Sequence, residues 1–260
     1  MSYPILENKD HDAPSMFTAE NLLREARCQK SLSHEQVPDV CILDPDGDLA
    51  QYLLESSVGH KHPNWACYHT RLIVFTHEGL EYGVVPYAVG SSFAVLVAEE
   101  LFASGCKLLI SITSAGQIVP AGQPPYFVLI ERALRDEGTS YHYLSPEPYS
   151  KIHDTLLQPL DGAFEDATEP VLRGATWTTD APFRETEAAI ASARAEGILG
   201  VEMEASALYA FAQAKMKAVV CFAHITNQMA QIEGDFEKGS NNGNDSALEV
   251  IHLTAKACLP

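Results

Sequence analysis

The chain has 260 residues, 46% of them hydrophobic and 20% charged, with a formal net charge of −18 at pH 7. That length buries a sizeable core without disulfide or metal staples, and this composition excludes a wholly disordered chain. Acids outnumber bases 35 to 17, so the surface repels phosphate backbones and anionic lipid, and no nucleic-acid or membrane partner is expected.

Residues 1–39 are polar and irregular apart from a helical stretch at Ala19–Lys30. They read as an arm lying on the surface or on a neighbouring subunit. Met1 to Pro14 carries no apolar signal core, and no apolar run reaches the roughly 20 residues of a membrane span, so the expected location is cytoplasmic. From Val40 onward strands and helices alternate. Leu72–Phe75 and Glu81–Tyr87, joined by the turn His77-Glu78-Gly79, predict a hairpin. Gly90-Ser91-Ser92 opens an apolar helix, Phe93–Ala103, stopped by Gly105. Leu108–Thr113 is a continuous apolar run, as in a strand buried on both faces. Tyr126–Ile130 and Arg173–Thr179 are further strands, and Ser150–Asp166 is helical at its start, then loop. Glu185–Glu196 and Val201–Lys215 read as helices, the second with apolar residues at Val201, Ala205, Leu208 and Ala212. Ala218–Thr226 is a last buried strand, Glu233–Asp245 a loop, and Ala247–Ala257 a closing helix. No repeat or linker divides the sequence, which favours one α/β domain over residues 40–260. Six scattered cysteines lack CxxC spacing; reduced, mostly buried thiols are expected, with no zinc cluster and no metal site.

In open α/β sheets ligands bind beyond the carboxyl ends of strands, which selects three places. Thr113-Ser114-Ala115-Gly116 offers small side chains around backbone N–H groups: either an anion cradle or a plain strand-to-loop turn. His224 to Gln228 ends the last strand in polar residues, among them an amide that can donate and accept at once; a capping role is the alternative. Glu202 and Glu204 sit at the entry to an apolar helix, where acids serve either a ligand or the helix dipole. Trp177 either stacks on a base or packs in the core, and the Tyr141-His142-Tyr143 turn either lines an aromatic pocket or packs at the surface. Asp44, Asp46 and Asp48 could face a cationic ligand or a metal, and are expected to form a solvated loop.

Together these segments resemble the nucleoside phosphorylase family, in the branch of uridine phosphorylase and the hexameric purine nucleoside phosphorylases. The most specific stretch is Gly197-Ile198-Leu199-Gly200-Val201-Glu202-Met203-Glu204-Ala205, followed by Leu208-Tyr209. Ser114-Ala115-Gly116, the Arg135–Ser140 run, and Thr179-Asp180 with Phe183 add to it, over about Val40–Ala257. The resemblance implies a single α/β domain with a central mixed β-sheet flanked by helices. It implies cleavage of a nucleoside by phosphorolysis to base and sugar 1-phosphate, with phosphate as co-substrate and no metal or organic cofactor. It also implies a homodimer or homohexamer.

Carried over by position, Glu202, Met203 and Glu204 bind the ribose, with Glu204 accepting from sugar hydroxyls. Trp177, Thr226 and Asn227 bind the base, and Ser114 supplies a hydroxyl to phosphate. The catalytic pair is Asn227 and Glu204. Asn227 falls where the hexameric purine enzymes place an aspartate; asparagine can hydrogen-bond purine N7 but cannot act as a general acid. Ile225-Thr226-Asn227 looks like the strand end of the trimeric purine enzymes, which favours a 6-oxopurine, with a pyrimidine as runner-up. The family's phosphate-binding arginines are replaced: Ser111 stands before the small-residue turn, and Leu43–Leu49 carries three aspartates and no arginine. Tyr68 occupies a third arginine position, with Arg71 close enough to substitute. The alternatives are therefore a nucleosidase that uses water, or a nucleoside-binding protein without turnover.

Overall fold

The computed structural model describes residues 3–229 and 233–259; Met1 and Ser2 of the arm, residues 230–232 and residue 260 lie outside the described residues. Ten strands form one mixed sheet. They are β1 (Val40–Asp44), β2 (His60–Lys61), β3 (Ile73–His77), β4 (Leu80–Pro86), β5 (Leu108–Gln117), β6 (Tyr126–Asp136), β7 (Tyr149–Lys151), β8 (Val171–Thr179), β9 (Gly200–Glu202) and β10 (Ala218–Asn227). The order is β10-β6-β8-β9-β5-β1-β4-β3-β2, with β7 on β6. Because β10 also pairs with β5, strands β5, β10, β6, β8 and β9 close into a barrel, and β1, β4, β3 and β2 extend the sheet from β5. The expected single α/β domain with a mixed central sheet is what forms.

Continuous apolar sequence explains the centre. In β5, every residue from Leu108 to Thr113 is buried, and β10 is buried from Val219 to Asn227. Burying a Leu, Ile or Phe side chain contributes roughly 1.5–3 kcal/mol, so strands covered on both faces dominate the core. The helices are α1 (Ala19–Lys30), α2 (Asp48–Glu55), α3 (Ser91–Ala103), α4 (Asp154–Leu157), α5 (Glu187–Ala195), α6 (Ala205–Lys215) and α7 (Asn244–Cys258). Helix α6 is buried from Ala205 to Ala212 and its small residues let it sit against both the barrel and α3. At its centre Tyr209 donates its hydroxyl to Ile130 O at 2.6 Å and accepts Cys221 N–H at 3.0 Å, tying the helix to β6 and β10.

The sequence placed Val201 and Glu202 in the helix; they form β9 instead, and α6 begins at Ala205. Edge pairing with β5 and β8 overrides the helical apolar period there. The arm lies on its own subunit. Lys9 Nζ meets His142 Nδ1 at 3.0 Å, and α1 buries Leu23 and Ala26 beside Ala66 and Ala103. Among the described residues no helix is long and apolar enough to cross a membrane.

Candidate functional site

Three strand ends meet at Gly116. It pairs with Val201 of β9 on one side and with Asn227 of β10 on the other. A Cβ at this position would stand 2.6 Å from Met229 Sδ and 3.4 Å from Asn227 Oδ1. The small-residue run therefore makes room for the groups around it.

Glu202 is the platform of the site. Its Oε1 accepts the hydroxyls of Thr176 at 3.1 Å and Thr178 at 2.5 Å. Its Oε2 accepts the backbone N–H of Glu204 and of Ala205, both at 2.7 Å. Both oxygens are thus satisfied inside the protein. Side-chain alternation on β8 explains the pairing: Thr176 and Thr178 face Glu202, while Trp177 between them points to the other side. Burial pushes the Glu202 pKa up against these four bonds.

Glu204 sits two residues on, at the N-terminus of α6, and is also buried. Its Oε1 accepts Gly90 N–H at 2.7 Å and its Oε2 accepts Met203 N–H at 3.3 Å. Gly90 reaches it with φ of +86°, a conformation that glycine adopts without strain. Ser91 Oγ donates to Met203 O at 2.8 Å, so the start of α3 clamps the Glu202-Met203-Glu204 corner. The sequence marked Gly90 and Ser91 only as a helix start. Burial, and then the charge of Glu202, push the Glu204 pKa up to about 8, against hydrogen bonds from Gly90, Met203 and Thr113. The two carboxyls thus resist being ionised together.

Asn227 lies beside this corner. Its Oδ1 accepts Met229 N–H at 2.9 Å and its Nδ2 donates to Thr226 Oγ1 at 3.2 Å. One Nδ2 hydrogen is left for a ligand. Thr226 is fully buried. Trp177 is not brought to this cluster: it packs with Ile118, Ala193 and Ile198, and its Nε1 donates to Asp136 Oδ2 at 3.0 Å. Phe183, in the turn Pro182–Arg184 that follows β8, is fully exposed. Arg71 is exposed on the wall of a separate cavity of about 550 Å³ with Gln51, Tyr87 and Phe93, and does not line the cavity at Ser114.

At Ser114 the structure departs from expectation. Of Asp44, Asp46 and Asp48, expected to form a solvated loop, Asp46 is exposed, Asp48 is half-buried at the start of α2 and Asp44 is buried, and each is tied into hydrogen bonds. Asp44 is buried; its Oδ1 accepts Gly47 N–H at 3.1 Å and its Oδ2 accepts Ala50 N–H at 2.9 Å, which caps α2. Burial lifts the Asp44 pKa to about 7. Asp46 Oδ2 accepts both the N–H of Ser114 at 3.3 Å and the Ser114 hydroxyl. Lys238 reaches across to Asp48 at 2.5 Å and to Asp46 at 3.4 Å. Burial pulls the ammonium pKa of Lys238 down, but the Asp48 hydrogen bond and the two carboxylate charges outweigh it and raise it. His224 completes the wall, stacked on Phe127 with ring centroids 4.3 Å apart, and burial lowers its pKa to about 4. Asp46, Ser114, His224 and Lys238 border a cavity of about 30 Å³. No local pattern marks this cluster, because Asp46 and Lys238 are 192 residues apart.

The aromatic turn is structural. Arg135, buried, donates to Ser140 Oγ at 2.8 Å and to Ser145 O at 2.8 Å, and its guanidinium lies 4.5 Å from the Tyr141 ring centroid. Tyr143 donates to Glu99 at 2.5 Å.

A family model described as the phosphorylase superfamily matches residues 39–257. A guanosine phosphorylase of Halorubrum lacusprofundi is 25% identical over 183 residues, covering 69% of this chain and 72% of that protein. An uncharacterised protein of Acanthamoeba polyphaga mimivirus is 29% identical over 194 residues, covering 70% of this chain and 73% of its own length. Among solved structures, uridine phosphorylase of Vibrio fischeri ES114 superposes with a TM-score of 0.70 at 20% identity, covering 96% of this chain and 99% of that one. A complex of the same enzyme with 6-hydroxy-1-naphthoic acid gives 0.64 at 19% identity, covering 89% and 90%.

Proposed function

The chain belongs to the phosphorylase superfamily, and on that footing we propose that it cleaves the N-glycosidic bond of a nucleoside, a 6-oxopurine nucleoside before a pyrimidine one. The observation that carries this reading is the Glu204 carboxyl, buried at the junction of β5, β9 and α3 and held there by Gly90 and by the Glu202 platform. Cleavage passes through an oxocarbenium-like sugar while negative charge moves into the base. Glu204 grips the sugar hydroxyls and, when ionised, stabilises the cation that forms. Met203 closes against the sugar. Asn227 uses its spare N–H at the base, where a purine N7 or O6 gathers charge.

Two acceptors are open. Phosphate follows from family membership and from the guanosine phosphorylase relative, and yields a sugar 1-phosphate. Water is favoured by one observation, the occupation of both Ser114 donors by Asp46. A homodimer or homohexamer is part of the proposal, with Arg71 available to a neighbouring copy; light scattering at the mass of a monomer would count against it.

Base release from a panel of purine and pyrimidine nucleosides tests the activity. Inosine and guanosine should be cleaved fastest, and Glu204→Gln should lower kcat by about 100-fold. Stabilisation by nucleosides without any base release would make the chain a binding protein instead.

A further inference from the structure

We propose that Asp46, a carboxylate of this same chain, occupies the acceptor seat beside the sugar site, and that water is therefore the group to which this enzyme transfers the sugar. The inference rests on the proposed cleavage of a nucleoside and names its second substrate.

The seat is an anion seat by its donors. The Ser114 N–H and the Ser114 hydroxyl converge on one oxygen, Asp46 Oδ2, and Lys238 Nζ lies 3.4 Å from the same atom. Charge-assisted donors of this kind are what an acceptor anion would use. Here a carboxylate of the same chain holds all three. Lys238 is in turn spent on Asp48 at 2.5 Å. With two carboxylates against one ammonium, the seat keeps a net negative charge, and the neutral ring of His224 does not offset it. A phosphate dianion would meet like charge where it needs donors.

Size agrees with charge. About 30 Å³ is left between Asp46, Asp48, Ser114, His224 and Lys238. That is room for a water. His224 Nε2 faces Glu169 Oε2 at 3.4 Å, away from this space, whereas Asp46, Asp48, Ser114 and Lys238 all line it, so a water here has polar partners. The seat adjoins the sugar site through the chain itself: Ser114, which bonds Asp46, lies on β5 two residues before Gly116, where β9 and Asn227 meet that strand.

The step balances with water alone. The water oxygen bonds to C1′ of the sugar and its proton passes to the Asp46 carboxylate. The C1′–N bond breaks, and its electron pair leaves with the base. The base takes up a proton from solvent, and Asp46 returns its own to solvent. The products are free base and free pentose, with no oxidant or second co-substrate.

The test compares wild type with Asp46→Ser, which keeps a small polar side chain and removes the charge. Base release is followed in phosphate-free buffer and in millimolar phosphate, with products of the run in ¹⁸O-water analysed by mass. Thermal melting is recorded with and without inorganic phosphate. Wild type should release base equally in both buffers, place the label on the pentose and show no phosphate-dependent rise in melting temperature. Asp46→Ser should lose hydrolysis by about 100-fold and gain a melting rise with phosphate. Base release by wild type only in phosphate, giving a sugar 1-phosphate, overturns the inference and leaves nucleoside cleavage standing. No base release in either buffer overturns both. A wild-type melting rise with phosphate as large as that of Asp46→Ser overturns the claim that Asp46 fills the seat, whatever the turnover.

Discussion

Glu202 holds Glu204 by the backbone: its Oε2 accepts the Glu204 N–H at 2.7 Å and the Ala205 N–H at the same distance. One carboxylate thus sets the corner on which the other is displayed. Both were expected to bind ribose, but the two differ in what they have left to give. Glu202 has spent its oxygens on Thr176, Thr178 and two N–H groups. In Glu202→Gln an NH₂ must face either the two N–H donors or the threonine hydroxyls. Stability should fall by about 1–3 kcal/mol, read as a melting temperature several degrees lower, with kcat and KM both worse. Glu204→Gln should lose turnover and keep its melting temperature at pH 6. Equal losses of turnover without any loss of stability in Glu202→Gln would remove the platform role.

Glu204 should make turnover and stability vary in opposite directions with pH up to about 8. Its folded pKa is raised to about 8, above the value of an ordinary glutamate. Stability from the buried neutral acid is complete below the unfolded pKa and is lost as pH rises through about 8, because the unfolded chain releases the proton first. Turnover should run the other way, since an ionised Glu204 stabilises the sugar cation. We expect kcat/KM to climb with pH and level off above about 8, while the melting temperature falls over the same range. Glu204→Gln should flatten the melting curve against pH on that side. A melting profile unchanged by the substitution would place the titrating group elsewhere.

His224 governs the acid side. Its folded pKa is lowered to about 4 by burial, then by Lys238, with Asp46 and Asp48 pulling the other way. A depressed pKa gives stability that is present above the unfolded value, near 6.5, and is lost as pH falls through about 4. The size is up to about 3 kcal/mol. His224→Phe keeps the stack on Phe127 and removes the titration. Its melting temperature should fall less than that of wild type between pH 6.5 and 4; parallel curves would exclude His224 as the source.

Much of this was legible in sequence, and the reasons differ by element. Continuous apolar runs announced β5 and β10, because burial on both faces is written locally, whereas the Val201-Glu202-Met203-Glu204-Ala205 stretch pointed to the corner only through its family resemblance. The helix start was misplaced because a three-residue strand, β9, is made by its neighbours β5 and β8 rather than by its own pattern. The helix α2 was missed because its cap is Asp44, whose carboxylate accepts Ala50 N–H six residues on, a contact no capping motif shows. Strand alternation could have turned Trp177 away from the site, since Thr176 and Thr178 flank it on the face that holds Glu202. The meeting of Asp46 with Ser114 and Lys238 was beyond reach, as it joins two loops to strand β5 across the fold.

Asn227 should decide the base. Its Oδ1 is tied to Met229 N–H at 2.9 Å and one Nδ2 hydrogen to Thr226 Oγ1 at 3.2 Å, which fixes the amide plane and leaves one N–H to point outward. A 6-oxopurine presents two acceptors, O6 and N7, to such a donor, and its N7 takes charge as the bond breaks. Adenine presents N7 beside an amino group, so the same donor meets one acceptor and one competing donor. Asn227→Ala should therefore lower kcat/KM for inosine and guanosine by about 10- to 100-fold, from one hydrogen bond strengthened in the transition state. The loss on adenosine should be several-fold smaller. Asn227→Asp separates donation from packing: it keeps the Met229 bond and replaces the donor by an acceptor, so it should match Asn227→Ala on inosine at neutral pH and recover in acid as the carboxyl gains a proton. Equal losses on inosine and adenosine in Asn227→Ala would remove Asn227 from base selection and leave it as the residue that turns β10 into the following loop.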